Sequence, residues 1–132
     1  MLTYIVNQPT PTQAIADLRR SVGWPGMENA YNNACLQSYC HIACYDDGKL
    51  VGYVDTVSNG ITDAYIQDLV VDPAYQGQGI GTSLMNRIIE IIKERNIYWI
   101  SVIYGNAELA PFYARFGFSQ MLCGIMETYK PE

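Results

Sequence analysis

Val71-Asp72-Pro73-Ala74-Tyr75-Gln76-Gly77-Gln78-Gly79-Ile80-Gly81-Thr82 decides the fold of this 132-residue chain. Upstream of it, residues 64–71 form an apolar run broken only by Gln67 and Asp68, the pattern of a buried strand that Asp72-Pro73 ends. Downstream, Ile80, Leu84, Ile88, Ile91 and Ile92 recur at helical spacing and predict a helix from Gly79 to about Arg95. Three glycines alternate between strand and helix. Glycine allows positive φ and lets a ligand approach the backbone closely. A helix start presents unpaired N–H groups and the positive end of its dipole. Together these suit an anion such as a diphosphate, and Thr82 and Ser83 add hydroxyl donors. A tight turn that needs glycine only for packing is the alternative reading of the same residues.

Two familiar phosphate motifs do not fit. A Walker loop requires Gly-Lys-Ser/Thr, and the turn has no Lys. A dinucleotide fingerprint requires Gly-x-Gly-x-x-Gly and an acidic residue at the end of the next strand. Here the glycines are two and two apart, and the next strand reads Ser101-Val102-Ile103-Tyr104.

Working outward, Leu2–Val6 predicts a strand. Thr10 as N-cap and Pro11 at the first helical position open a helix running to about Arg20, with Ala14, Ile15, Leu18 and Val22 on its apolar stripe. Gly23-Trp24-Pro25-Gly26 breaks it, and an irregular helix spans Glu28–Leu36. Ser38–Tyr45 and Lys49–Val57 are strands joined by Asp46-Asp47-Gly48, a hairpin signal. Tyr98–Tyr104 follows the long helix as a strand. Ala107–Phe116 is a short helix ended by Gly117, and Phe118–Leu122 and Cys123–Tyr129 complete the pattern as two strands. The order predicts one α/β (α+β) domain over residues 1–132: a mixed, mostly antiparallel sheet of six to seven strands with about four helices.

Composition narrows the partners. Hydrophobic residues are 49%, enough for a packed core, and charged residues only 16%. Eight Lys plus Arg against 13 Asp plus Glu give a net charge of −5, which disfavours nucleic acid and favours a neutral or cationic substrate. The N-terminal stretch lacks the basic and long apolar regions of a signal peptide, and no apolar run is long enough to span a bilayer. Cys40 and Cys44, four apart on a strand, lie about 13 Å apart, beyond disulfide reach. With one His in the chain, the cysteines do not form a zinc pattern. Cys35, Cys40, Cys44 and Cys123 are therefore read as small buried apolar residues in a reducing cytoplasm, and no metal is expected. The most unusual figure is 11 Tyr against 3 Phe and 2 Trp.

The turn resembles the acetyl-CoA loop of the GCN5-related N-acetyltransferase superfamily, whose Gln/Arg-x-x-Gly-x-Gly/Ala signature is met by Gln76, Gly79 and Gly81. The preceding strand from Ile66 to Pro73 is similar to that family's strand into the loop. Asn106-Ala107-Glu108-Leu109-Ala110-Pro111-Phe112-Tyr113-Ala114-Arg115-Phe116-Gly117-Phe118 is similar to its Asn…Tyr…Gly-Phe segment. The resemblance covers nearly the whole chain and implies the acyl-CoA N-acyltransferase fold and acetyl transfer to an amine.

It also implies roles. Amides of Gly77, Gln78, Gly79, Ile80, Gly81 and Thr82 would cradle the CoA pyrophosphate, with Gln76 in the loop signature. The Leu69-Val70-Val71 backbone would pair with the pantetheine arm as an added strand. Asn106 would touch the cofactor arm, and it equally suits a helix N-cap. Tyr113 would be the general acid that protonates the leaving CoA thiolate, or else a core aromatic. For the base, Gln67 stands where a sugar-phosphate acetyltransferase carries Glu, and Ser101 where N-terminal protein acetyltransferases carry Glu. Asp68 is the nearest carboxylate, either a base through water or an inward polar group fixing the loop. His41 reads as a sheet residue rather than a base. Ser21-Val22-Gly23-Trp24 looks like small bacterial acetyltransferases similar to arylalkylamine acetyltransferases, so Trp24 and Tyr31 would line the acceptor pocket. The expected partner is a cationic small-molecule or peptide amine, with the protein a monomer or homodimer. A non-catalytic acyl-CoA-binding module is the competing reading, and a module for another diphosphate is a more distant one.

Overall fold

In the computed structural model, which describes residues 1–128, the chain begins with a hairpin-rich half. β1 (Leu2–Val6), β2 (Cys40–Asp46), β3 (Lys49–Ser58) and β4 (Asp63–Val71) pair antiparallel in sequence order. Asp46 faces Lys49 across a two-residue turn in which Asp47 and Gly48 have φ of 46° and 88°. Both central residues are left-handed, the geometry that matches strand twist in a tight hairpin. β5 (Trp99–Val102) then adds parallel to β4 after the crossover helix α3 (Ile80–Glu94). The sheet is mixed, as the sequence predicts, but it has five strands among the described residues rather than six to seven.

Helices cover both faces, which is why β3 is buried along most of its length. α1 (Thr12–Ser21) puts Ile15 and Leu18 on Ala43, Leu50, Tyr53 and Val70. On the other face α3 comes so close to β3 that a Cβ on Gly52 would sit 2.9 Å from the Ile80 side chain and 3.1 Å from Leu84. Each apolar side chain fully buried in this way contributes roughly 1.5–3 kcal/mol.

The local predictions change at several places. Thr10 is not the N-cap of α1: its hydroxyl donates to the Gln8 carbonyl, Pro11 holds the cap position, and the Pro11 carbonyl accepts from the Ile15 amide. The second helix shrinks to one turn, α2 (Glu28–Tyr31), because a 32–36 stretch rich in Asn favours side-chain-bonded turns; Asn33 Oδ1 accepts from the Cys35 amide. Cys40 and Cys44 are buried as expected, whereas Cys35 and Cys123 are exposed; all four are free thiols.

Contacts divide the chain into two units, Met1–Val102 and the part from Ile103 onward. In the second, a 3-10 turn (Ala107–Leu109) leads into α4 (Ala110–Ala114), and Gly117 with φ 98° ends it as predicted. Residues 118–128, predicted as two strands, form none. Their apolar alternation is strand-like, yet a strand exists only where its backbone groups find partners, and Gly124 interrupts the run. Tyr129, the end of the second predicted strand, lies outside the described residues.

Candidate active site

The parallel pairing of β4 with β5 runs only from Asp63↔Trp99 to Ile66↔Val102. Past Ile66, β4 continues to Val71 with β3 on one side and, among the described residues, no strand on the other. Leu69, Val70 and Val71 therefore lie on a strand edge inside the sheet, where the backbone groups that point away from β3 and are not taken by the loop can meet an extended ligand. A bulge sharpens the divergence. Tyr53 pairs with Val70 and Asp55 with Gln67, so Asp68 and Leu69 together face Val54, and Asp68 takes a left-handed φ of 56°.

The edge strand runs directly into the glycine turn. Asp72 caps a 3-10 turn at Pro73–Tyr75 by accepting from the Ala74 amide at 2.8 Å. Tyr75 donates its hydroxyl hydrogen to Asp46, and that bond, with the N-terminal ammonium, holds the Asp46 carboxyl below its ordinary range. Gln76 donates its side-chain amide to the Val71 carbonyl at 3.0 Å, so it braces the loop from inside. Gly77 and Gly79 adopt φ of 80° and 85°, and Gly79 caps α3 without any side-chain bond. The amides of Gly77 and of Gly79 to Thr82 donate to no carbonyl of the surrounding loops. A Cβ placed on Gly77 or Gly79 meets nothing within 4 Å. The result is an open cradle of free N–H groups at the start of a 15-residue helix, a donor set suited to a diphosphate.

Beside the bulge lies a pocket of about 270 Å³ lined by Arg19, Met27, Ala30, Tyr31, Leu36, Asp55, Gln67 and Asp68. Arg19 organises one wall. Its guanidinium pairs with Asp68 at 3.0 Å, donates to the Pro25 carbonyl at 2.8 Å, and lies 5.3 Å from the Trp24 ring centroid. Tyr31 donates to Asp68 at 2.8 Å; burial and the Asp68 charge push its phenol pKa up, so it stays protonated. Asp55, only 5% exposed, accepts from Ser38 and from the Thr56 amide through Oδ1. Burial raises its pKa above the usual carboxylate range, against the lowering effect of those two bonds and of His41.

In the second unit, Asn106 accepts from the Glu108 amide at 2.9 Å, so its side chain caps the 3-10 turn. Tyr113 stacks on Tyr104 at 4.7 Å and meets Phe112 and Phe118 edge-on.

Residues 11–118 match the family model described as "Acetyltransferase (GNAT) family". The chain belongs to the GNAT acetyltransferase family. Among curated proteins it is 30% identical over 118 residues to "GCN5-related N-acetyltransferase 2, chloroplastic" of Arabidopsis thaliana, covering 74% of this chain and 45% of that one. The chain spans about half the length of the plant relatives it matches. With the [Ribosomal protein bS18]-alanine N-acetyltransferase of Escherichia coli K12 it shares 25% identity, over 86% of this chain and 76% of that one. Among solved structures, a GNAT family acetyltransferase from Streptococcus pneumoniae superimposes with a TM-score of 0.82 at 27% identity, covering 100% of both chains. A probable acetyltransferase of unknown function from meticillin-resistant Staphylococcus aureus gives 0.85 at 25% identity, covering 98% and 100%.

Within the GNAT frame, the first unit brings Leu69–Val71 into continuity with the Gln76–Thr82 loop and puts Tyr31 and Asp68 in one pocket wall. Trp24 is not among the pocket residues; it carries the Arg19 guanidinium and is 37% exposed. Arg19 and Asp55 were not singled out by sequence reasoning. Asp55 had a signal, as the only charge inside the run Leu50-Val51-Gly52-Tyr53-Val54-Asp55-Thr56-Val57. Arg19 had none beyond its place on α1.

Proposed function

We propose that this chain transfers an acetyl group from acetyl-CoA to a primary amine of a small molecule or peptide. The observation that carries the reading is the parting of β4 from β5 after Ile66, which exposes a strand edge leading straight into the uncapped, glycine-lined start of α3. An edge strand followed by an amide cradle suits a ligand with an extended amide-bearing arm and a diphosphate. The open space above Gly77 and Gly79 leaves room for that diphosphate. Acetyl-CoA, when bound, supplies an acetyl thioester whose C–S bond breaks as the amine N–C bond forms. The Leu69–Val71 edge orients the arm, and the loop amides from Gly77 to Thr82 hold the phosphates. The amine attacks in its neutral form, after its ammonium gives one proton to solvent. As the N–C bond forms the nitrogen releases a second proton to solvent, and the Tyr113 hydroxyl would protonate the departing sulfur and be reprotonated in turn. Asn106, whose Oδ1 caps the 3-10 turn, keeps its amide N–H₂ for the cofactor arm. Asp68, already engaged by Arg19 and Tyr31, fixes the pocket wall and the bulge. Its two partners favour that role over proton abstraction.

A non-catalytic acyl-CoA-binding module is the second reading, favoured by Gln67 and Ser101 at positions where some relatives carry Glu. The deciding experiment combines two measurements on the wild-type protein. Acetyl-CoA is expected to raise the melting temperature, and an amine panel with a thiol readout is expected to show CoA release. Stabilisation without release for any amine selects the binding module. No stabilisation by acetyl-CoA rejects both readings.

A further inference from the structure

The pocket beside the bulge contains one carboxylate whose charge nothing in the pocket balances. Asp68 and Arg19 neutralise each other at 3.0 Å. Asp55 forms no ion pair among the described residues, and both of its hydrogen bonds end on Oδ1. Its residue is 95% buried, by difference from 5% exposure. Among the described residues no fully enclosed side-chain oxygen or nitrogen lacks a partner, so Oδ2, which has none, is reached from the pocket that Asp55 lines. Around it are Gln67, its register partner on β4, and the apolar side chains Met27, Ala30 and Leu36. Arg19, Tyr31 and Asp68 complete the lining and are bonded to one another, so the unpaired Asp55 oxygen is the cavity's open acceptor for a charged donor.

We infer that Asp55 Oδ2 receives the acceptor as its ammonium ion, which gives one proton to solvent before the neutral nitrogen attacks, and that the acceptor is a compact amine bearing a single positive charge. The inference rests on the acetyl-transfer reading and specifies its substrate class. The cavity's volume, about 270 Å³, is at the small end for ligand pockets and suits a compact acceptor. The charge count selects a single positive charge. One uncompensated carboxylate attracts one cation, and the other carboxylate of the pocket, Asp68, is already matched by Arg19. The high Asp55 pKa is in keeping with this assignment, since an unpaired buried carboxylate is disfavoured until a cation arrives.

The test uses the full chain with primary monoamines from butylamine to phenethylamine, the matching alcohols as neutral isosteres, and spermidine as a polycation. Wild type is expected to acetylate monoamines with higher kcat/KM than spermidine, and the alcohols are expected not to inhibit. Asp55→Asn keeps the shape and still accepts from Ser38 and Thr56. It is expected to lower kcat/KM for monoamines roughly 10- to 100-fold, the range for one charge-assisted hydrogen bond, chiefly through KM. Its melting temperature should not fall and its acetyl-CoA stabilisation should persist, which separates lost recognition from lost folding. Equal inhibition by alcohols and amines, a preference for spermidine, or unchanged monoamine kinetics in Asp55→Asn each overturns the assignment. The inhibition and preference measurements need only the wild type. Absence of turnover for every amine removes the acetyl-transfer reading and this inference together, whereas turnover with a silent Asp55 removes the inference alone.

Discussion

Tyr113 shows how one residue carries a local structural role and a chemical one. Its ring is stacked on Tyr104 and flanked by Phe112 and Phe118, so removing only the hydroxyl leaves the aromatic packing intact. Tyr113→Phe is therefore expected to stay folded and to keep the acetyl-CoA-induced shift in melting temperature. The kcat should fall about 10²-fold or more, the ordinary contribution of a positioned acid. A variant with wild-type kcat would remove Tyr113 from the mechanism. Gly52 makes the opposite kind of prediction, about packing with no chemistry. A methyl there would press on Ile80, Leu84 and Cys44 at 2.9, 3.1 and 3.4 Å, so Gly52→Ala should destabilise by about 1–3 kcal/mol in denaturant unfolding. A neutral result would mean that α3 can lift away from the sheet without loss. The tyrosine excess read from composition resolves into such individual environments: Tyr31 on Asp68, Tyr75 on Asp46, Tyr53 in the α1 core.

Elements governed by local rules were legible from the sequence. The period of α3, the alternation of β2 and β3, the Asp47-Gly48 turn and the αL Gly117 all follow from side-chain spacing and backbone sterics that act within a few residues. What was not legible depends on pairing across distance. The bulge that turns Asp68 toward Arg19 comes from β3–β4 register, and no composition rule places a left-handed Asp inside an apolar strand. The two last strands failed for the same reason in reverse, since a correct alternation had no partner among the described residues. The turn from Gly77 to Thr82 supplies a prediction at this scale. Gly79→Ala imposes a side chain on φ 85°, which costs roughly 1–2 kcal/mol, and its Cβ points into open space rather than into protein. The variant should fold with a modestly lower melting temperature and lose most of the stabilisation by acetyl-CoA. If the stabilisation is unchanged, the cradle does not hold the cofactor phosphates.

At the scale of the whole molecule, three carboxylates titrate away from their unfolded values in opposite senses. Asp46 and Glu28 have lowered pKa values, through Tyr75 and Arg20 respectively, so the stability they add is present above the unfolded carboxylate range and is lost as pH falls through their folded values. Asp55 is shifted the other way by burial, among His41, Asp68, Ser38 and the Thr56 amide. Its folded form holds a proton more tightly than its unfolded form. Stability therefore declines as pH rises from the ordinary carboxylate value to the raised folded value, and the penalty is complete above that point. Asp55→Asn abolishes this one titration and leaves Asp46 and Glu28 in place. The variant is expected to be more stable than wild type at pH 7, with the difference shrinking toward zero as the pH approaches 4. Paired denaturant melts across that range measure it. A difference that is constant with pH, or that grows on acidification, would show that Asp55 is not held at a cost in the folded chain. Loss of amine recognition together with a gain in stability at pH 7 is the joint signature expected of a carboxylate kept buried for binding, because folding alone favours its removal.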